Sequence, residues 1–305
     1  MNVRFVAEVS SNHGRDLERC MEFIETSAAI GCAAVKFQQF KIRELFDPVA
    51  LKHHPHLLER EAWELPAGFN AELAARSRAQ AIAYSSTPFY MDAVGELEPY
   101  VDFFKIASYQ VLWLDMLREV GRTGREVVMA TGMASLDEVR GAVRVLREAG
   151  CGPLTLLHCV SLYPTPMEDA NLRAIETLRQ EFGDEGVRYG WYDHTVSRQV
   201  IERAAGRFAA SMVEFHLDLD GQGEEFAAGH CWLPADMKNV IQGLAADGSL
   251  GCAAAVQACD GDGDKSARPS ESVERQWRTD PSDGLRPLLA TRQAMQAATP
   301  GKVSA

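Results

Sequence analysis

Eight short apolar runs, each followed by a longer amphipathic stretch, constrain the fold of this chain more than any other feature. The runs are Val3–Glu8, Ala33–Gln38, Ala81–Ser85, Val101–Ile106, Glu126–Thr131, Leu154–Cys159, Val187–Trp191 and Met212–His216. Several are rich in Val, Ile and Phe, as parallel strands covered on both faces should be. Between them the spacing turns helical. Leu17, Met21, Ile24 and Ala28 recur every three to four residues. Val139, Val143 and Leu146 do the same, in a segment entered at Ser135 with Glu138 three residues on and closed by Gly150, a capping-box start and a glycine stop. A further helix is expected over Leu233–Leu244. Eight strand–helix units within about 245 residues predict a (β/α)8 TIM barrel. A doubly wound open sheet is the alternative. Polar residues close nearly every run: Glu8, Lys36 with Gln38, Ser86 with Thr87, Lys105 with Ser108, Thr131, His158 with Ser161, Asp193 with His194, and His216. A closed barrel gathers all of them on its catalytic face, whereas an open sheet spreads them along a line. That favours the barrel.

The expected organisation is a catalytic barrel over 1–250 and, over 251–305, an acidic linker with an irregular, partly helical tail. Asp260-Gly261-Asp262-Gly263-Asp264 has the spacing of a calcium loop but lacks the closing glutamate, so it reads as a flexible linker. Arg268–Pro287 is poor in aliphatics and is expected to wrap the barrel, with a short helix over Leu288–Ala297. Lys41–Phe69 is long for a strand-to-helix loop. It carries His53, His54 and His56 and reads as a solvated excursion over the mouth. A net charge of −12 disfavours nucleic acid and anionic membrane as partners. No apolar run approaches the roughly 20 residues that span a bilayer. Seven scattered cysteines without a CxxC pair, and a start without a signal peptide, point to reduced thiols and a cytoplasmic address.

His194 and His216 each end a strand. On one rim, two neutral imidazoles can hold a divalent metal and leave positions open. Two ligands are fewer than most sites use, so the spacing leaves both readings standing. Lys36 and Lys105 end apolar strands, and buried ammonium groups need partners. They either form structural ion pairs with Glu8 or another rim carboxylate, or build an anion site with Thr87 and Ser108. Glu8 is a candidate acid or base, an orienting group, or the partner of Lys36. Strand alternation points Asp193 away from His194, toward an orienting or helix-capping role. His158, alone in an apolar run, reads more readily as a core residue. Tyr163-Pro164-Thr165-Pro166 is a rigid loop placed to meet substrate.

Taken together, these segments resemble the sialic acid synthase family. The matching stretches are Ala7-Glu8-Val9 with Asn12-His13, Val35-Lys36-Phe37-Gln38, Ser86-Thr87-Pro88-Phe89, Phe104-Lys105-Ile106-Ala107-Ser108, Thr131-Gly132-Met133, Leu157-His158-Cys159 with Tyr163-Pro164-Thr165-Pro166, Asp193-His194-Thr195 and Phe215-His216. They follow the family's order. The resemblance implies a metal-dependent synthase that condenses phosphoenolpyruvate with an aldehyde sugar, an N-acyl hexosamine or a relative, to a nonulosonic or 2-keto-3-deoxy sugar acid and phosphate. It implies manganese or magnesium at His194 and His216. It places phosphoenolpyruvate on Lys36 and Lys105, with Thr87 and Ser108 helping, and the substrates against Glu8, Gln38 and Tyr163. It also implies a homodimer.

Departures from the family pattern cluster around that centre. Gln110 stands where an acidic residue is usual, and it joins Glu8, Lys36 and Lys105 as a candidate catalytic residue. Ala130 and Tyr192 replace serines before Thr131 and Asp193. Ser161 replaces an asparagine two residues before Tyr163. Thr131, Ser161 and Asp193 remain candidate substrate contacts by position. The loop Leu217–His230 is longer than usual and carries Glu224, Glu225 and His230, the last a candidate substrate contact or third metal ligand. The family's antifreeze-like C-terminal domain has no counterpart in the tail. The expectation is the same reaction class on a different acceptor. Two alternatives accompany it: a 3-deoxy-ulosonate-type synthase or aldolase, and an inactive barrel kept as a binding subunit, which Gln110 and Ala130 suggest.

Overall fold

The alternation of strands and helices closes on itself. The computed structural model describes residues 3–183, 186–246 and 254–298; the boundary expected at 250/251 lies outside them. Eight parallel strands follow one another round a barrel: β1 (Arg4–Glu8), β2 (Ala34–Gln39), β3 (Ala83–Pro88), β4 (Phe103–Ile106), β5 (Glu126–Ala130), β6 (Leu154–His158), β7 (Arg188–Asp193) and β8 (Met212–His216). β8 pairs back onto β1, which rules out the open sheet. Glu8 lies in register with Lys36 on one side and His216 on the other. Tyr192 lies in register with Glu214.

The period of two divides each strand between two cores. Val6, Ala34, Phe103, Val128, Ala130, Leu157, Tyr192 and Met212 fill the barrel interior. Their neighbours Ala7, Val35, Phe104, Met129, Leu156, Trp191, Val213 and Phe215 pack outward against the helices. The capping box forms as expected: Ser135 Oγ accepts from Glu138 N at 3.3 Å, Glu138 Oε2 accepts from Ser135 N at 2.8 Å, and the helix runs Leu136–Glu148.

Two strands are displaced from their sequence expectation. β3 begins at Ala83 because Ala81 sits at φ 56°, outside extended backbone, so Ser86 and Thr87 fall within the strand. β7 runs on through Tyr192 and Asp193, whose partners Glu214 and Phe215 in β8 complete the ladder.

The segment after β2 is more than a solvated excursion. Phe40, Ile42, Leu45, Phe46 and Leu57 form a small core of their own with Phe89, and Trp277 of the tail packs against it. The His54 ring packs edge-on against Trp277, with 5.2 Å between ring centroids. The expected flexible linker is docked as well. Asn171 receives Gly263 N at 2.9 Å and donates to the Asp264 carbonyl at 2.9 Å, while Asp260 pairs with Arg203. Further on, Glu271 accepts from Met133 N (2.9 Å) and Ser161 N (2.6 Å), and Lys265 donates to the Thr131 and Ala134 carbonyls. Buried charges thus fasten the tail to the ends of β5 and β6. Its last helix, Leu289–Ala298, lies within one residue of expectation.

Candidate active site

A cavity of about 440 Å³ opens at the C-terminal mouth of the barrel. Lys36 and Lys105 form its floor, 2% and 0% exposed. Both reach Glu214 Oε1, at 3.3 and 3.1 Å, and Lys36 also pairs with Glu8. Thr87 Oγ1 lies 3.4 Å from Lys36 Nζ. Burial drives the Lys36 ammonium down to about 7, against the opposing pull of Glu214. Burial would raise the Glu214 carboxyl, but Lys105 and Lys36 hold it below its usual range. Lys105 Nζ stands 4.5 Å from the Tyr192 ring centroid, a cation–π contact.

Above the floor sit the imidazoles. His194 donates from Nδ1 to the Val160 carbonyl at 2.7 Å, which leaves the lone pair on Nε2, and that buried atom has no partner. The His194 and His216 rings are 5.5 Å apart. His216 is engaged on both sides: Tyr192 Oη lies 2.7 Å from Nε2, and Glu225 Oε2 lies 2.9 Å from Nδ1. Burial lowers both imidazoles, His194 the more strongly, and so favours their neutral, metal-binding form. Tyr163 covers them, 4.3 Å from His194 and 5.3 Å from His230.

The loop after β8 folds back because Leu217 and Trp232 pair and Asp218 Oδ2 accepts from Gly223 N at 2.8 Å. This return brings Glu225, His230 and Cys231 beside His216. Burial would raise the Glu225 carboxyl, but bonds from His216, His230 and Ser10 hold it well below the usual range. The outer wall comes from the tail and the segment after β2. Arg286 packs 4.1 Å from the Tyr109 ring centroid and 5.2 Å from that of Phe89, and its buried Nη2 has no hydrogen-bond partner.

Comparison with known proteins agrees with this geometry. Residues 23–251 match the NeuB family. This chain belongs to the NeuB family. It is 33% identical to the N,N'-diacetyllegionaminic acid synthase of Campylobacter jejuni, over 70% of this chain and 67% of that protein. It is 30% identical to the pseudaminic acid synthase of Helicobacter pylori, over 71% and 66%. The crystal structure of the Bacillus subtilis spore coat polysaccharide biosynthesis protein spsE superposes with a TM-score of 0.76 at 26% identity, covering 90% of this chain and 77% of that one. The chain spans 62 to 67% of the length of three curated relatives it matches.

Within this NeuB-family barrel, most expected residues converge. Lys36, Gln38, Thr87, Lys105, Ser108, Tyr163, His216 and His230 line the cavity. Glu8 is buried beneath, bonded to Lys36 and Gln38, and His194 packs behind Tyr163.

Four candidates lie elsewhere. Gln110 is 0% exposed and spends its amide on the Pro88 carbonyl and Ala107 N, so it braces the β3–β4 rim instead of meeting substrate. Thr131 turns its hydroxyl to the Leu157 carbonyl. Ser161 is fully buried under the tail. Asp193 faces the helix layer, the direction that strand alternation gives it, and accepts Trp191 Nε1 at 3.0 Å, Trp232 Nε1 at 2.9 Å and Val196 N at 3.1 Å. His158 bonds the Ala170 carbonyl at 3.0 Å as a core residue.

The sequence reading missed Glu214 beneath the floor lysines and Arg286 in the outer wall, and had Tyr192 only as a replaced serine near the centre. Glu214 was within reach, since it lies two residues before His216 and therefore on the same strand face. Arg286 carried no such signal, because its position depends on tail docking.

Proposed function

We propose that this chain condenses phosphoenolpyruvate with the aldehyde of an N-acyl hexosamine or related sugar, giving a 2-keto-3-deoxy sugar acid and phosphate. One observation carries the reading: two buried ammonium groups, sharing Glu214, form the floor of a cavity roofed by His216, Tyr163 and His230. Fixed cations at that depth hold an enol phosphate without reorganising during the reaction. Its C3 then faces the outer cavity, where Gln38, Tyr163 and Arg286 surround the space for an acceptor. C3 attacks the aldehyde carbon, water adds at C2, and phosphate departs. Bonded to both Lys36 and Gln38, Glu8 keeps the lysine in place and is poised to exchange a proton with substrate.

The charge balance favours a divalent ion in addition. Lys36, Lys105, Arg60 and Arg286 face the carboxylates of Glu8, Glu214, Glu224, Glu225 and Glu274, so the cavity has no net positive charge to offer a multiply charged enol phosphate. Donors for an ion surround His216, with the unpartnered His194 Nε2 on one side and Glu225, His230 and Cys231 on the other. Such an ion, when bound, supplies the positive charge that polarises the acceptor aldehyde. A reduced, cytoplasmic setting suits the free cysteines. The inactive-barrel alternative loses one of its supports, because Gln110 is a brace and not a substrate contact.

Phosphate release from phosphoenolpyruvate, assayed over a panel of N-acyl hexosamines and smaller aldehydes with a divalent ion, tests the reading. One acceptor is expected to release phosphate stoichiometrically with keto acid. Silence across the panel would overturn the synthase assignment.

A further inference from the structure

The engagement of His216 on both ring nitrogens separates two candidate ion sites. Tyr192 Oη occupies the Nε2 side, which faces away from Glu225. On the Nδ1 side, Glu225 Oε2 stands at the centre of three further donors: His216 Nδ1 at 2.9 Å, His230 Nε2 at 3.5 Å and Cys231 Sγ at 3.8 Å. One ligand atom from each of these four residues lies within 4.8 Å of every other. A tetrahedral ion with Zn–N near 2.0 Å and Zn–S near 2.3 Å requires donor separations of roughly 3.3–3.7 Å. The four atoms therefore need only a modest contraction.

We propose that this chain binds its divalent ion through His216 Nδ1, Glu225, His230 Nε2 and Cys231, a thiolate-containing site that selects a zinc-class cation over magnesium. The surroundings are arranged for it. Ser10 and Ser11 hold Glu225 Oε1 at 2.5 and 3.0 Å, which aims Oε2 at the other donors. Asn12 Nδ2 donates to Cys231 Sγ at 3.6 Å and to the Leu217 carbonyl at 3.0 Å, so it orients the thiol and anchors the loop together. Tyr192 Oη lies 2.7 Å from His216 Nε2, so when an ion replaces the proton that Nδ1 shares with Glu225, the hydroxyl is in place to accept the Nε2 N–H of the ligating tautomer. His216, His230 and Cys231 are 5%, 8% and 3% exposed, so water competes weakly for the ion. A sulfur and two imidazoles are soft to borderline donors, which favour zinc or cobalt over magnesium. On binding, Cys231 releases its proton to solvent and the S–H bond is replaced by S–metal.

This site rests on the proposed reaction only for its catalytic meaning, because ion binding is measured without turnover. The metal-free full chain is titrated with Co²⁺ and followed by absorbance. The expected result is one ion per chain with a thiolate-to-cobalt charge-transfer band in the near ultraviolet, displaced by Zn²⁺ and not by a large excess of Mg²⁺. Cys231→Ser is expected to lose the band and to weaken binding by at least about 100-fold, while Cys151→Ser keeps both. Far-UV circular dichroism checks the fold of each variant. Binding without a sulfur band overturns the proposal, as does affinity that depends on His194 and not on Cys231, or no binding at all. A normal titration with a silent phosphate-release panel overturns the synthase reading and leaves this site standing.

Discussion

Glu214→Gln isolates the energetic role of the cavity floor. The glutamine keeps the shape and removes the charge that Lys36 and Lys105 share at 3.3 and 3.1 Å. Both ammonium groups are buried, and Glu214 is the only carboxylate within 4 Å of Lys105 Nζ among the described residues. Breaking a buried pair by neutralising one member costs about 3–5 kcal/mol. Deprotonation sets a ceiling. An ordinary lysine gives up its proton at pH 7 for about 5 kcal/mol, which caps the cost of stranding a buried ammonium. Lys36, already near 7, sheds its proton for almost nothing. The expected loss is therefore about 3–5 kcal/mol, or a Tm lower by roughly 6–15 °C, read by urea and thermal unfolding at pH 7. Because the loss comes from uncompensated cations, inorganic phosphate should restore part of it, by about 2.7 kcal/mol at 100 times its Kd, and should stabilise the variant more than the wild type. A variant within about 1 kcal/mol of wild type, or equal stabilisation of both by phosphate, would refute the reasoning.

Three further outcomes are expected. Lys36 carries its charge only below about 7, so phosphoenolpyruvate affinity should fall as pH rises from 6 to 8.5. The unfolded chain binds the proton that the folded one lacks between about 7 and the usual 10.5, so this group's contribution to folding stability rises with pH across that window. Calorimetry against a Lys36→Met reference, which removes the ligand's own titration, checks the binding arm, and parallel pH profiles would sink it. Asp193→Ala strands two indole N–H groups and a helix-entry amide, and should lower the urea midpoint by the equivalent of about 3–5 kcal/mol; a loss below about 1 kcal/mol would count against its bracing role. Glu271→Ala removes the acceptor for Met133 N and Ser161 N and should make the tail the first site of limited proteolysis; an unchanged digestion pattern would show that the tail is held by other contacts.

The barrel was legible because its signal is repeated. Eight runs with polar ends agree only if the sheet closes, and a two-residue error in β3 does not disturb that agreement. The lysines and strand-end histidines were legible for the same reason, since an ionisable group ending an apolar strand has few places to go. Gln110, Thr131, Ser161 and Asp193 turn away from the cavity although position placed them on the substrate side, because matched position says nothing about which way a side chain turns. Asp193 follows Tyr192 on β7, and that single step puts one inside the barrel and the other outside. Arg286 and Glu271 were illegible in the sequence, because a polar tail carries no periodicity, and their partners lie on Phe46, Met133 and Ser161, far away along the chain.

The paired lysines of the floor have a thermodynamic consequence. Since Glu8 and Glu214 already neutralise Lys36 and Lys105, an incoming enol phosphate meets little net attraction there. A cation seated beside His216, as proposed, would change that field and link the two ligands, and linkage is reciprocal: whatever factor the cation adds to anion affinity, the anion returns to the cation. A lesion at His230, on the far wall, should then be felt as a weaker grip on the enol phosphate, although no atom of the floor has moved.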